Sequence, residues 1–445
     1  MLPDVRAMLT LAWPVVLAEL GWVLMGIIDT VFVGPLGPAA IGAVGTGSSM
    51  FIAVMVLGIG TLFALDTFVS QAFGAGRTDD CHRWLIAGLW LAVVMSVLLG
   101  GIGVGAIALL PRAGIHPDVL RLLQPYLWTL LWSAPPLLVY TVLRRYLQAM
   151  NLVRPIVVAV ILANVVNALG NWLFVYGHWG VPALGTVGAA YATLMARICL
   201  MVSLAVVILR REHGRRGLFD VPIRPDAGRI WQLMRLGVPA ALQITLEVGV
   251  FTTAAALAAR ISPVALAANQ IVLGIASFVF MVPYGLSSAA AIRVGQAIGR
   301  GDLPGARLAG WSAIALTLAA SLAMAVILVG ARWPLLRLFS QDASVLSVGA
   351  TLLLLCAAFQ PFDGCQAVAT GALRGIGDTR TPMLCNLAGH WFVGLPLGYV
   401  LCFNRGWGVI GLWTGLSLSL TIIGAALVLA WHWRTGRTVR AQGWT

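Results

Sequence analysis

The sequence contains no lysine and few charged residues of any kind. Only 10% of its 445 residues are charged, whereas 60% are hydrophobic. A soluble globular domain carries about 25% charged residues, so this composition excludes an ordinary soluble protein and indicates a polytopic membrane protein. The net charge of +13 results from 28 arginines and 15 acidic residues. We attribute the use of arginine without any lysine to genomic base composition rather than to mechanism. No nucleic-acid partner is expected, because these charges are distributed as membrane loops require.

Sequence motifs for soluble chemistry are also missing. The chain has no GxxxxGK[ST] nucleotide loop, no HExxH zinc motif and no GxSxG nucleophile motif, and its six histidines are scattered. Its six cysteines form no CxxC pair and fall mostly in apolar segments, where thiols act as small hydrophobic groups. We therefore expect neither an enzyme nor a resident cofactor, and direct ATP drive is disfavoured.

What the sequence does contain is a first apolar stretch, 9–33, with an acid in it. About 25 residues at ~1.5 Å each exceed a hydrocarbon core of about 30 Å, so the stretch predicts a spanning helix. An ionised carboxylate there costs on the order of 2.5–3.5 kcal/mol unless it faces a cavity, is paired or is protonated. Asp29 is therefore a functional candidate. Glu19, ten residues earlier, lies about 80° away around the helix and is a candidate for the same cavity.

Twelve segments are long and apolar enough to span a membrane. They lie at about 9–33, 47–69, 84–110, 122–143, 155–177, 184–209, 232–258, 264–291, 308–331, 344–371, 382–402 and 408–432. With an internal amino terminus, 21 arginines fall in inner loops and tails, six in outer loops, and Arg197 within a span. The inner loops include Arg144 and Arg145. This asymmetry predicts that both termini are cytoplasmic.

The chain divides into two similar halves. The polar stretch 210–229 reads as a cytoplasmic linker between an amino-terminal lobe, 1–209, and a carboxy-terminal lobe, 230–445. SQAFGAG at 70–76 matches GQAIGRG at 295–301 at an offset of 225 residues, and proline pairs repeat at offsets of 225 to 227. Six spans in each copy make this a parallel repeat, which predicts two pseudo-symmetric six-helix bundles around a central cleft.

In the first half, three asparagines share one side of the predicted helix 155–177. Asn164, Asn167 and Asn171 fall within about 60° of each other at ~100° per residue. Interhelical hydrogen bonding would explain a single asparagine. Three in register, with an acid in the same bundle, favour a polar cavity. We interpret Asp66, close to an inner loop, as an interfacial residue.

In the second half, two further acids lie within predicted spans. Gln243 and Glu247 are four residues apart on 232–258. Segment 344–371 presents Asp363 on a broad face. The other residues of that face are Phe359, Gln360 and Gln366. Because no basic residue of the same bundle is an obvious partner, these acids predict a cation or proton site rather than a salt bridge.

Several motifs together resemble one family of transporters. They are VLMGIIDTVFVG, NALGNWLFVYG followed by LGTVGAAYAT, VGVPAALQITLEVGVF, IRVGQAIGRGD and FQPFDGCQAVATGALRGIGDTRTP. These segments, spread over the whole chain, are similar to those of the multidrug and toxic compound extrusion family, and most of all to its NorM-like branch.

The resemblance implies a two-lobed, twelve-helix exporter that exchanges protons or sodium ions for cationic or amphiphilic compounds. By position, Asp29, Asn167 and Asn171 match the family's amino-terminal polar site, and Glu247 and Asp363 match its carboxy-terminal cation site, which could hold sodium. One departure is visible: Phe359 stands where sodium-coupled NorM-like members are expected to have tyrosine.

The resemblance also leads us to expect a monomer in a bacterial inner membrane, with the lipid bilayer and small molecules as its partners. The alternative is a flippase for lipids or lipid-linked saccharides on a related fold. A flippase would be expected to carry cationic groups for phosphate, whereas this chain offers only Arg197 within a span. A membrane enzyme or a purely structural membrane protein fits the buried acids less well.

Overall fold

The computed structural model describes residues 2–112, 114–212 and 221–441 and is helical throughout, without a strand in those ranges. The helices are α1 (Leu2–Val33), α2 (Pro38–Thr61), α3 (Ala64–Gly74), α4 (Thr78–Leu109), α5 (Pro117–Leu131), α6 (Ala134–Ala149), α7 (Arg154–Tyr176), α8 (Thr186–Glu212), α9 (Ala227–Ala259), α10 (Pro263–Gly299), α11 (Leu303–Gly330), α12 (Arg332–Arg337), α13 (Ala343–Gly375), α14 (Arg380–Asn386), α15 (Leu395–Tyr399) and α16 (Val409–Ala441).

Twelve stretches of the described chain can cross a membrane. Eleven are single helices, or helices with their short continuations, and the pair α5 and α6, bent by 46°, supplies a twelfth. Each of the twelve predicted segments falls on one of them, which confirms the predicted fold class. Most helices extend beyond the predicted segments because their last turns are polar enough to lower hydropathy without losing helical propensity.

The break between α5 and α6 divides the predicted segment 122–143. Helix α5 ends at Leu131, and α6 begins at Ala134 with two prolines in its first turn. Proline is favoured there because the first amides of a helix need no partner. Neither proline has an N–H group, so neither can continue the hydrogen-bond ladder of α5. A bend rather than a continuous helix is the result.

The eleventh span is interrupted in a way that the sequence did not indicate. Two π-helical segments, Leu387–Gly394 and Val400–Asn404, lie on either side of the single-turn α15. Gly394 and Gly398 pack directly on α16, so close backbone approach accompanies the wider helical turns. Single π turns are uncommon and are often found at functional sites.

Helix contacts group the chain into two compact units. The first unit comprises Leu17–Ala241, and the second comprises Met1–Val16 with Leu242–Thr445. Thus α1 and α9 each contribute residues to both units. Of the predicted linker 210–229, residues 213–220 lie outside the described residues, and α8 and α9 extend into its ends. The predicted lobe boundaries, 1–209 and 230–445, stay a prediction.

Two arginines predicted to lie in an inner loop are buried in the last turns of α6. Arg145 is 2% exposed and forms an ion pair of 3.1 Å with Asp66, while its guanidinium lies 3.9 Å from the Phe63 ring. Arg144 forms a buried ion pair with Glu19. The prediction that Asp66 is interfacial was therefore wrong: Asp66 is fully buried because α6 supplies its counter-charge.

A close contact between α10 and α13 leads to a stability prediction. A methyl group on Gly371 would meet the backbone carbonyl of Ser287, which cannot move without shifting a helix. We expect Gly371→Ala to destabilise the protein by about 1–3 kcal/mol through overpacking, which lowers the apparent Tm. Gly274→Ala on α10 is the control, because a methyl group there meets nothing within 4 Å. Equal Tm values for the two variants would show that the contact is dispensable.

Candidate functional site

The candidate site in the first unit is built around the carboxylate of Asp29. Asp29 is 5% exposed and accepts three hydrogen bonds from neutral groups. Asn167 and Asn171 donate to its Oδ1 at 2.9 and 2.7 Å, and the Thr193 hydroxyl donates to its Oδ2 at 2.8 Å. None of the ion pairs among the described residues includes Asp29. The carboxylate is thus held by dipoles and could still take up a positive charge.

Helix geometry explains why two of the three predicted asparagines reach this acid. Asn167 and Asn171 are four residues apart on α7 and so occupy one side of it. Asn164, one turn earlier, donates instead to the carbonyls of Gly21 on α1 and Val160 on α7, at 3.0 and 2.9 Å. It ties two helices together, which is the interhelical role that the sequence also allowed.

The amide oxygens of the two asparagines that donate to Asp29 have no hydrogen-bond donor of their own. Asn167 Oδ1 and Asn171 Oδ1 are buried and form no hydrogen bond in the structure. A buried polar atom without a partner costs free energy, so water or a cation at these oxygens would be favourable. Carboxylate and amide oxygens are also the ligands that hard cations prefer. The site can therefore bind a proton on Asp29 or a small cation beside it.

Sequence reasoning missed two members of this site, both on α8. Thr193 and Arg197 are four residues apart, and Thr193 contacts Asp29 directly. Arg197 is buried, donates to the Ser133 hydroxyl, and lies within electrostatic range of Asp29 without forming an ion pair. The signal available in the sequence was the position of Arg197 within a span; nothing distinguished Thr193 from the many other hydroxyls in spans.

The second candidate site contains two acids of the other unit. Glu247 on α9 accepts a hydrogen bond of 3.3 Å from Gln243, one turn before it. Asp363 on α13 is 8% exposed, and the two carboxyl groups are close enough to interact electrostatically. No ion pair among the described residues involves either acid. Two like charges in an apolar interior repel one another, which favours the binding of a proton or a cation between them.

The remaining predicted residues of this unit lie on α13, the helix that carries Asp363. Phe359 is buried, with its ring centroid 6.2 Å from that of Trp413. Gln360 has a buried amide nitrogen without a hydrogen-bond partner. Gln366 donates to Asn386 at 3.3 Å and so binds to α14 rather than to either acid. The predicted cavity-lining roles of these three side chains stay predictions.

The second unit offers two candidate metal ligands, Glu247 and Asp363, rather than a larger cluster. No group of three His, Cys, Asp or Glu side chains converges within the described part of the chain. A sodium ion at Glu247 and Asp363 would therefore need its further ligands from amide, hydroxyl or water oxygens. Phenylalanine at 359 supplies none.

Glu19, the last predicted member, does not have a free carboxylate. It is buried and forms an ion pair with Arg144 from α6. Its proposed place in the cavity around Asp29 stays a prediction, but its charge is already compensated, unlike that of Asp29. This difference separates a structural acid from a candidate ion-binding acid on the same helix.

Comparison with known families supports the two-copy organisation of the chain. The sequence profile of the MatE family matches twice, over residues 14–173 and 239–400. The two matches begin at Pro14 and Pro239, which are 225 residues apart, the same offset as the SQAFGAG repeat. Together they cover more than half of the chain.

Bacterial relatives match over nearly their full length. "Probable multidrug resistance protein NorM" of Mesorhizobium japonicum is 35% identical over 438 residues, which are 96% of this chain and 93% of the relative. "Multidrug resistance protein NorM" of Aliivibrio fischeri is 30% identical over 435 residues, 97% of this chain and 95% of the relative.

Solved structures show the same fold at lower identity. The crystal structure of the eukaryotic MATE transporter AtDTX14 superimposes with a TM-score of 0.88 at 22% identity, covering 99% of both chains. An outward-facing multidrug resistance MATE family transporter of the MOP superfamily gives a TM-score of 0.88 at 18% identity, covering 98% of this chain and 96% of the other. At such identities the likeness concerns the fold.

Proposed function

The chain belongs to the MatE family, within its NorM branch, and from this we propose that it is a secondary active multidrug efflux antiporter. It would export cationic or amphiphilic compounds in exchange for protons or sodium ions by alternating access, and it would act as a transporter rather than as an enzyme. The names of its NorM relatives support the export of several drugs. The ion coupling rests on the two candidate sites.

The observation that carries this proposal is that each unit holds buried acid without a paired base. Asp29 is bound by amides and a hydroxyl, and Asp363 and Glu247 form no ion pair among the described residues. Elsewhere in the first unit, Glu19 and Asp66 do have arginine partners. The fold can therefore neutralise a buried acid with arginine, and it leaves the buried Asp29 and Asp363 and the partly buried Glu247 for a mobile cation.

Binding of that cation would bias the transporter between two states. A proton or sodium ion that binds one state more tightly shifts the equilibrium towards it, and a drug that binds the other state shifts it back. Coupling free energies of about 1–3 kcal/mol, which correspond to a roughly 5–150-fold change in affinity, are typical. The cation and the drug would then cross the membrane in opposite directions rather than together.

The proposed location is supported by the family and by the charge pattern. We propose a bacterial inner membrane, cytoplasmic termini and a monomeric transporter. The excess of arginine in the predicted inner loops supports this orientation.

The choice between protons and sodium gives a testable prediction at Phe359. Phe359 lies one turn before Asp363 on α13, so a tyrosine there would add a hydroxyl oxygen on the side of the helix that carries this acid. We expect Phe359→Tyr to raise the stimulation of transport by sodium several-fold, while the response to a pH gradient changes little. The measurement is dye uptake into inside-out proteoliposomes at a series of sodium concentrations. No gain in sodium stimulation, with normal protein yield, would contradict this role of position 359.

The proposed function itself is tested with the wild-type protein. Proteoliposomes are loaded so that a pH gradient, a sodium gradient or neither is present, and accumulation of the cationic dye rhodamine 123 is followed by fluorescence. We expect accumulation above that of protein-free liposomes under at least one gradient, and its collapse when the matching ionophore is added. Equal dye distribution under all three conditions would reject the antiport mechanism.

A further inference from the structure

The first turns of α4 hold the ends of two other helices by different means. Asp80 forms an ion pair of 2.9 Å with Arg229 near the start of α9, and the Arg229 guanidinium also lies 4.8 Å from the centroid of the Trp84 ring. His82, about 200° around α4 from Asp80, lies 3.5 Å from Glu212 at the end of α8. In the proposed orientation these helix ends face the cytoplasm. The contact with α9 uses a permanent cation, whereas the contact with α8 uses a side chain whose charge depends on pH.

The acid of the second contact has no counter-charge that is independent of pH. His82 and Glu212 are 3% and 6% exposed. Among the described residues, Glu212 forms an ion pair with His82 alone. The buried acids Glu19 and Asp66 differ, because arginine neutralises them at any physiological pH. An ionised carboxylate at such a depth is costly without a charged partner. Glu212 is therefore compensated only while His82 carries a proton on both ring nitrogens.

The His82 ring has a nitrogen that can bind this second proton. Both ring nitrogens are buried and form no hydrogen bond within the described part of the chain. Nε2 lies 3.5 Å from a Glu212 oxygen, so the single N–H of a neutral ring is most favourable there, and Nδ1 then keeps its lone pair. A proton from water binds to that lone pair without displacing an existing hydrogen bond. The product is an imidazolium beside the Glu212 carboxylate.

The groups around the pair leave His82 as the one that responds near neutral pH. The other side chains near it that can titrate or carry charge are Tyr146 on α6, Cys81 and Arg83 on α4, and Arg211 on α8. The Tyr146 ring lies 6.2 Å from the His82 ring between centroids, and the Cys81 thiol contacts the Val69 carbonyl of α3 at 3.7 Å. A phenol and a thiol are mostly uncharged near neutral pH. Both arginines are exposed, so solvent screens their charges.

We propose that His82 and Glu212 form a proton-binding site at the cytoplasmic end of the first unit, and that the bound proton holds the end of α8 to the start of α4. At acidic pH the imidazolium and the carboxylate stabilise this contact. As the pH rises through the range in which histidine loses its proton, Glu212 is left buried without a counter-charge and the contact weakens. The inference goes beyond the proposed export function, because neither residue belongs to the two candidate ion-coupling sites.

A double-mutant cycle at two pH values tests the site. His82→Gln, Glu212→Gln and the double variant are made in the full chain, and the apparent Tm of each is measured in detergent at about pH 6 and about pH 8. At the lower pH we expect each single variant to lower the Tm by roughly 2–4 °C, and the double variant to lower it by clearly less than the sum. At the higher pH this non-additivity should disappear. Titration of other groups cancels in the cycle, so equal non-additivity at both pH values, including none at either, would overturn the proposal.

The chain contains a matched control pair that is exposed. His116 and Asp118 lie 3.6 Å apart, with side chains that are 72% and 78% exposed. The cycle of His116→Gln and Asp118→Asn should be additive at both pH values, because solvent already compensates each charge. A pH-dependent interaction of the same size in this pair would show that burial of His82 and Glu212 is not the cause.

A second measurement uses only the wild-type protein. Diethyl pyrocarbonate acylates unprotonated histidine, and peptide mass spectrometry gives the modification rates of His82 and His116 in one sample. The ratio of the two rates removes the pH dependence of the reagent with an exposed histidine. We expect this ratio to rise several-fold between about pH 6 and about pH 8, because proton binding protects His82 at the lower pH and weakening of the contact exposes it at the higher pH. A ratio that stays constant would contradict the pH-dependent contact, whatever the outcome of the transport assays.

Discussion

Replacing Glu247 by glutamine and Asp363 by asparagine together is expected to abolish gradient-driven export. The amides keep the size and polarity of the acids but can neither bind and release a proton nor provide a negative charge for sodium. The driving ion would then no longer favour one state over the other. We expect dye accumulation in proteoliposomes to fall by at least about tenfold, to the level of protein-free liposomes, which corresponds to the loss of about 1.4 kcal/mol or more of coupling.

The matched control is Asp118→Asn, which makes the same chemical change at an exposed position near the start of α5. This variant should transport as the wild type does. Equal amounts of monodisperse protein must be reconstituted, because the effect concerns coupling and not folding. Normal gradient-driven transport by the double variant would show that the second unit's acids do not bind the coupling ion.

The largest effect on stability is expected at the buried ion pair of Asp66 and Arg145. Removing Asp66 with Asp66→Ala leaves the guanidinium of Arg145 buried without its 3.1 Å partner. Breaking a buried pair in this way costs about 3–5 kcal/mol, because the remaining charge stays desolvated. We expect a large fall in apparent Tm in detergent, measured by intrinsic fluorescence, together with lower yield.

Replacing both partners distinguishes the destabilisation caused by leaving one buried charge without its ion-pair partner from the net contribution of the ion pair to stability. The double variant Asp66→Leu with Arg145→Met should recover much of the lost Tm, since apolar groups of similar size often replace a buried pair at little cost. Arg77→Ala is the surface control, because the Arg77 side chain is 65% exposed and its ion pair with Asp80 should contribute under about 1 kcal/mol. Similar Tm values for Asp66→Ala and Arg77→Ala would contradict the account.

The sequence predicted the spans and their repeat because hydropathy and arginine placement depend on the membrane rather than on packing. It did not predict the π-helical segments beside α15, since these accompany close packing against α16. The α5–α6 bend does have a local signal, the two prolines at the start of α6, but hydropathy alone reads the pair as one segment. Arg144 and Arg145 were assigned to a loop because sequence alone gives no reason to bury arginine. Only the approach of α1 and α3 to α6 supplies Glu19 and Asp66 as their partners.

Within the candidate site, helical spacing predicted the side of α7 that carries Asn167 and Asn171, and the structure brings both to Asp29. The same spacing could not show that Asn164 turns to a backbone carbonyl of α1 instead. Thr193 and Arg197 were not recognised as neighbours of Asp29, because the packing of α8 against α7 is a tertiary feature. The helical period predicts which residues share one side of a helix, whereas it does not predict which residues of two different helices are in contact.

The central claim is that a mobile cation and an exported compound compete through the uncompensated acids. The most direct measurement is the dissociation constant of rhodamine 123 for the purified wild-type protein, determined over a range of pH without sodium and over a range of sodium at alkaline pH. The account predicts that affinity falls by about tenfold as one of the two ions approaches saturation. An affinity that stays constant across both series would contradict it.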